Sequence, residues 1–322
     1  MAGLSGRRML VTGGAGFIGS TLVDRLLDQG DSVTVIDNLD SFYPRSRKLQ
    51  NLQIASLNPR FELAELDIRD GDAISLIFSR FEPEVVVHLA ARAGVRPSIE
   101  NPALYVAVNV QGTVHLLNSA SRREPRPKFI YASSSSVYGD RHDVPFRETD
   151  PVDHPVSPYA VTKKACELLA HTFHHLHGLP VTGLRFFTAY GPRNRPDLAV
   201  ARFASLIERG EPVPMFGDGT TRRDYTYVDD IVDGIVRAVD RCEGHHLYNL
   251  GNSEPVELRE LIASLGQALG KTPIVNQLPE QPGDVRQTYA DITRAGIELG
   301  YHPSTPLKEG LRRFVKWFRQ PM

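Results

Sequence analysis

Apolar residues fall into short, near-continuous runs separated by longer amphipathic stretches. The runs at 9–12, 33–37, 61–65, 85–89, 128–133 and 181–187 have the length and β-branched content of buried strands. Between them, segments 18–29, 72–81, 105–122 and 158–177 carry apolar residues at helical spacing. This alternation predicts an α/β fold, a doubly wound parallel sheet covered by helices on both faces. From about residue 190 the texture changes. Gly191-Pro192, Arg195-Pro196, Pro212, Pro214 and Gly217-Asp218-Gly219 mark loops. A helix at 228–239, a strand at 246–250 and a helix at 258–269 follow, and Leu307, Leu311, Phe314, Val315 and Phe318 line one face of a closing helix. The expected organisation is a sheet domain at 1–188 and 226–250. A smaller, partly loop-built domain at 189–225 and 251–322 caps the carboxyl edge of the sheet, where open α/β sheets bind ligands.

Thr12-Gly13-Gly14-Ala15-Gly16-Phe17-Ile18-Gly19 joins the first strand to the first helix. Gly13 permits a tight turn, Gly16 lets the backbone approach a pyrophosphate, and Gly19 lets helix and strand pack closely. The helix N-terminus then turns its free N–H groups toward the phosphates. The next strand ends at Asp37, where a carboxylate can bind a ribose 2′-hydroxyl. An anion there disfavours a 2′-phosphate, so the pattern predicts NAD rather than NADP. Arg45 and Arg47 could contest that preference but lie further along the chain.

A second constellation is Ser157-Pro158-Tyr159-Ala160-Val161-Thr162-Lys163. Ser157 suits an N-cap and Pro158 the first helical position. Tyr159 and Lys163 then share one face, a turn apart. A free phenol titrates near 10, so a phenol acting as a base near neutral pH needs a cation beside it, which a lysine ammonium supplies. The serine-rich strand end Tyr131-Ala132-Ser133-Ser134-Ser135-Ser136-Val137-Tyr138-Gly139 reaches the same edge and offers hydroxyls to a substrate oxygen.

Composition narrows the field. Hydrophobic residues make up 41% of the 322, and the formal net charge is −1. Such a chain carries no nucleic-acid footprint, and no apolar stretch approaches membrane-spanning length. Cys166 and Cys242 are its only cysteines, so free thiols and a cytoplasmic location are expected. The first residues run straight into the first strand, leaving no room for a leader. His171, His174, His175 and His177 crowd one helix, with no neighbouring glutamate or cysteine set to complete a site, so no metal site is expected. Cys166 and Arg185 read as packing and structural residues.

Taken together these motifs resemble the extended short-chain dehydrogenase/reductases of the nucleotide-sugar epimerase/dehydratase group, nearly end to end. The resemblance also rests on Asp67-Ile68, His88-Leu89-Ala90-Ala91, Asn109-Val110-Gln111-Gly112-Thr113, Arg185-Phe186-Phe187-Thr188, Tyr190-Gly191-Pro192 and Arg223-Asp224-Tyr225-Thr226-Tyr227-Val228-Asp229-Asp230. It implies a Rossmann-like sheet and a tightly held NAD that is reduced and reoxidised within one turnover. Gly13, Gly16, Phe17, Ile18, Gly19, Asp37, Asn38, Asp67, Ile68, Leu89, Ala90, Ala91, Asn109, Tyr159 and Lys163 would contact it. It implies Ser134, Tyr159 and Lys163 as the catalytic set. Dehydratases and uronate decarboxylases of the group place an acid beside the catalytic hydroxyl, where this chain has Ser135 and Ser136, so epimerisation is favoured. Ala93-Gly94-Val95-Arg96-Pro97-Ser98, Asn101-Pro102 and the loop 191–197 resemble UDP-glucuronate 4-epimerases more than UDP-galactose 4-epimerases. On that likeness Ser135, Ser136, Thr188 and Arg195 would meet a UDP-sugar's C6 carboxylate. Arg223 and Arg286, the latter in Gly283-Asp284-Val285-Arg286, would meet its diphosphate or uridine ribose. Thr288 would border the sugar pocket. A neutral UDP-hexose epimerase, a dehydratase, a net dehydrogenase with exchangeable NAD and a non-catalytic NAD sensor are the alternatives, and a homodimer is expected by analogy.

Overall fold

The computed structural model describes residues 6–279 and 285–320. Strand β1 (Arg8–Thr12) enters the glycine turn and leaves it as helix α1 (Phe17–Asp28). It is followed by β2 (Ser32–Ile36), β3 (Phe61–Ala64), β4 (Val85–His88), β5 (Lys128–Ser134) and β6 (Val181–Phe186). With the strand His245–Leu250 they form one seven-stranded sheet in the order His245–Leu250, β6, β5, β4, β1, β2, β3. Every pairing in it is parallel. The order reverses beside β1, which lies between β4 and β2, with Thr12 opposite both His88 and Ile36. Ligands of open α/β sheets bind at such a reversal.

Alternation along each strand builds two cores. Met9 and Val11 face α1 and the helix Val228–Asp240, packing with Leu22, Val23, Leu26, Ile231 and Ile235. Leu10 and Val86 face the helices Gly71–Phe81, Gly112–Ser121 and Pro158–His177, packing with Ile74, Phe78, Leu116 and Cys166. The region after β6 contributes a three-stranded sheet of Pro255–Glu257, Arg222–Tyr227 and Thr188–Tyr190, and a two-stranded ribbon of Val213–Phe216 with Val275–Leu278. Buried Asp224 pins this region, its carboxylate accepting from the N–H groups of Asn252, Ser253 and Ala290 at 2.7, 3.0 and 3.0 Å.

Two parts of the sequence reading need correction. The stretch 105–122 is not one helix. A π-helical turn, Val106–Gln111, separates Pro102–Tyr105 from Gly112–Ser121. The Asn109 carbonyl there accepts from Thr113 Oγ1 at 2.5 Å and Cys166 Sγ at 3.2 Å, side-chain donors that periodicity does not register. The loop-rich reading after residue 190 is also too irregular. It holds the amphipathic helix Ala199–Arg209 as well as the short strands.

Candidate active site

A cleft of about 590 Å³ opens over the carboxyl ends of β1, β4 and β5 and runs from the glycine turn to the loop around Arg195. At one end Gly13 has φ +72°, and a Cβ there would press on the Ala90 backbone at 2.7 Å. A Cβ on Gly19 would collide with the Gly13 carbonyl. Gly16, which caps α1 without a side-chain hydrogen bond, faces nothing closer than that carbonyl at 3.1 Å. The first N–H groups of α1 therefore stay available at the cleft, a cradle suited to a pyrophosphate.

Asp37 lies beyond this turn. Its carboxylate accepts from the N–H groups of Ala15 at 3.1 Å and Leu39 at 2.9 Å. Burial raises its pKa, opposed by the nearby Lys48 ammonium. Lys48 is itself buried, over the Tyr43 ring at 4.7 Å, and both line the cleft. Neither was singled out from the sequence, because the seven-residue helix Arg45–Asn51 that carries Lys48 is largely polar and has no apolar period. Arg45 pairs with Glu65, and Arg47 stacks on Trp317 at 5.4 Å. Asn38 donates to Asp67 at 2.9 Å, and the Arg69 guanidinium holds the Asp67 carboxyl down at about 2. Phe17, Ile18, Ile68, Leu89, Ala90 and Ala91 complete the walls. Asn109 does not reach the cleft. It is buried behind it, bonding the Arg92 backbone at 2.7 and 3.0 Å and Thr162 at 2.9 Å, so it shapes the wall.

At the middle of the cleft, Ser157 caps the helix Pro158–His177 by accepting from the Ala160 N–H at 3.2 Å. That helix delivers Tyr159 and Lys163 to the same wall. Lys163 is buried and donates to the Ala132 carbonyl at 2.7 Å, which fixes its ammonium beneath the end of β5. The half-buried Tyr159 ring meets Tyr105 edge-on at 6.2 Å. Ser134 terminates β5, and its hydroxyl accepts from the Ser136 N–H at 3.1 Å and the Ser136 hydroxyl at 2.9 Å, leaving its own proton for a ligand oxygen. A phenol, an ammonium and a hydroxyl thus converge, the set needed to move a proton to and from an alcohol.

At the far end Ser135, Ser136, Thr188, Arg195, Arg223 and Thr288 all line the cleft. Arg195 Nε and Nη2 grip Asp197 at 3.0 and 2.6 Å, and the guanidinium lies over the Phe42 ring at 5.3 Å. Thr288 is buried and accepts from the Asp224 N–H at 3.2 Å. Arg286 is exposed and does not line the cleft; its carbonyl accepts from the Arg222 N–H at 3.0 Å. Gly283 and Asp284, from the same motif, lie outside the described residues.

Other residues resolve into structural roles. Arg185 is buried and forked onto Glu167 at 2.8 and 2.9 Å, away from the cleft. His88 bridges Thr12 at 2.7 Å and Thr113 at 2.9 Å, and burial, aided by Lys163, lowers its pKa to about 3. The His171 and His245 rings meet edge-on at 4.9 Å, and the described residues contain no His, Cys, Asp or Glu cluster able to hold a metal.

A parallel sheet with a glycine cradle at its reversal and a Tyr–Lys pair beside a serine defines the extended short-chain dehydrogenase/reductase class. Within it the chain belongs to the GDP-mannose 4,6 dehydratase family, whose sequence pattern matches residues 10–314. It is 40% identical over 312 residues to a UDP-glucuronate 4-epimerase of Thermodesulfobacterium geofontis, covering 97% of this chain and 96% of that one. Among solved structures it resembles the UDP-glucuronic acid 4-epimerase of Bacillus cereus in complex with UDP-glucuronic acid and NAD, with a TM-score of 0.90, 37% identity and coverage of 97% and 98%. It also resembles a UDP-glucose 4-epimerase of Thermotoga maritima with UDP-glucose, with a TM-score of 0.88, 37% identity and the same coverage.

Proposed function

We propose that this chain is an NAD-dependent 4-epimerase that interconverts UDP-glucuronate and UDP-galacturonate. The observation that carries this reading is the single cleft joining the glycine cradle, the Ser134–Tyr159–Lys163 set and Arg195. The dinucleotide would lie from the cradle toward Lys163, and the sugar between Tyr159 and Arg195.

Tyr159 takes the proton of the sugar's C4 hydroxyl. NAD, when bound, supplies the redox chemistry, accepting the C4 hydride and later returning it. Ser134 donates to the C4 oxygen as it becomes a carbonyl, and Lys163 holds the phenol's side of the site positive. The sugar would then turn over about its diphosphate link and present its other face, and Tyr159 would give the proton back to the C4 oxygen. One hydride and one proton leave and return, so no net oxidation occurs.

Dehydration would need an acid to protonate the departing C6 hydroxyl. Among the described residues, the carboxylates lining the cleft are Asp37, Asp40, Asp67 and Asp197. Asp37 is spent on backbone N–H groups, Asp40 on Arg92, Asp67 on Arg69 and Asp197 on Arg195. Serines surround Ser134 instead, which supports epimerisation.

On this reading residues 1–188 and 226–250 serve the dinucleotide, and 189–225 with 251–322 serve the nucleotide sugar. A homodimer would cover Val106, Val161, Leu168 and Leu176, which are exposed on the π-helical turn and the Tyr159 helix. Two buried free cysteines and the lack of a membrane-crossing helix among the described residues support a cytoplasmic setting.

The test is Arg195→Ala assayed on UDP-glucuronate and UDP-glucose. A charge-assisted hydrogen bond contributes about 1.5–3 kcal/mol, so kcat/KM for the uronate should fall roughly 10- to 150-fold, and for the neutral hexose much less. Equal losses would assign Arg195 to the diphosphate or the loop and remove the uronate reading.

A further inference from the structure

Arg195 is not a free cation. Its Nε and Nη2 edge is already closed on both oxygens of Asp197, while Nη1 has no hydrogen-bond partner among the described residues. The intervening Pro196 stiffens the link, the Leu198 N–H closes the turn onto the Arg195 carbonyl at 3.2 Å, and Arg193 anchors the loop to Asp24 at 2.7 Å. Asp197 therefore stays beside the guanidinium, and both line the cleft.

From this geometry we infer that Asp197 limits the grip of Arg195 on the sugar carboxylate so that the keto sugar can let go and turn over. The inference rests on the uronate reading above. A guanidinium has a side edge, Nε with Nη2, and an end edge, Nη1 with Nη2. Asp197 holds the side edge and turns the end edge to an incoming carboxylate. It also sets a second negative charge within a few ångströms of that carboxylate, in a site where charges are weakly screened. Turning the ring about its diphosphate link carries C6, and the carboxylate on it, away from Arg195. A grip made with the sugar before and after the turn but lost during it slows the turn. Asp197 is thus a positioning residue that orients the arginine and weakens its hold.

The experiment compares wild type with Asp197→Asn and Asp197→Glu, and with Arg195→Ala as reference. Substrates are UDP-glucuronate and UDP-glucose, and reduced nicotinamide absorbance is followed during turnover. Where hexose turnover is too slow, calorimetric binding of UDP-glucose replaces it. For Asp197→Asn with the uronate, KM should fall at least about 10-fold, since removing a like charge a few ångströms away at an effective dielectric near 20 exceeds one tenfold step. Its kcat should fall too, with more enzyme in the reduced form at steady state, and Asp197→Glu should restore both. UDP-glucose should display no such split. Parallel losses on both substrates, or a raised KM for the uronate, would reduce Asp197 to a loop support and overturn the inference. If Arg195→Ala itself fails to separate the two substrates, the uronate reading falls and this role falls with it. If it separates them and Asp197→Asn gives no split, only the role of Asp197 falls.

Discussion

Replacing Glu167 by alanine should lower the melting temperature by several degrees. The side chains of Glu167 and Arg185 are 3% and 2% exposed. Glu167 accepts from Arg185 Nε at 2.8 Å and Nη2 at 2.9 Å, and from the Ser133 hydroxyl at 2.6 Å. After truncation the guanidinium keeps only the Tyr138 hydroxyl at 2.9 Å, the Glu148 carbonyl at 3.4 Å and the Tyr138 ring face at 4.8 Å. None of these is an anion, so the charge is left buried with no carboxylate hydrogen-bonded to it, which costs about 3–5 kcal/mol. Unfolding entropy of about 2.1 cal/mol/K per residue gives roughly 0.7 kcal/mol/K for a chain of this length. The expected drop in Tm is then about 4–7 °C. Differential scanning calorimetry reads it directly. The double variant Glu167→Leu with Arg185→Met removes both charges and should recover most of the loss. A shift below about 1 °C, or a double variant no better than the single, would refute the assignment of this pair as a buried charge that needs its partner.

Tyr159→Phe should lower turnover roughly 10²–10⁴-fold, the worth of a positioned acid–base group. Fluorescence titration should still detect NAD binding, since the ring is retained; near-normal turnover would place the base elsewhere. His88 gives a pH prediction. Its folded pKa, lowered to about 3, lies below the ordinary value of 6.5. Between those values the unfolded chain binds the extra proton, so this residue's contribution is complete above 6.5 and is lost as pH falls toward 3, at up to about 1.4 kcal/mol per pH unit. Melting curves from pH 7 to 4 should therefore fall less steeply for His88→Gln than for wild type, and identical slopes would contradict the burial argument.

The features legible in the sequence are those set by local rules. Near-continuous apolar runs locate β1, β2, β4, β5 and β6, which are largely buried, and 3.6-residue patterning locates the long helices, whose inner faces are buried. The glycine turn is legible because Gly13 needs positive φ, and the Ser157 cap because Pro158 follows it. What escaped depends on contacts between distant segments. Lys48 reaches the cleft only because its helix folds beside Asp37, 11 positions earlier in the chain. Asn109 looks like a ligand contact until Arg92 and Thr162 claim its amide. Arg286 is exposed and does not line the cleft, which its position in the Gly283-Asp284-Val285-Arg286 run does not reveal. The fork of Arg195 on Asp197 joins residues two apart, yet nothing in their spacing says whether the carboxylate turns inward or to water.

The most direct measurement follows a label at the reacting carbon. UDP-glucuronate bearing deuterium at C4 is incubated with the protein as isolated, in ordinary water, and the products are read by mass spectrometry and proton NMR. The account predicts UDP-galacturonate with deuterium still on C4 and no net accumulation of reduced nicotinamide, because the same hydride is taken and returned. Loss of the label to water, stoichiometric formation of reduced nicotinamide, or recovery of unchanged UDP-glucuronate would contradict it.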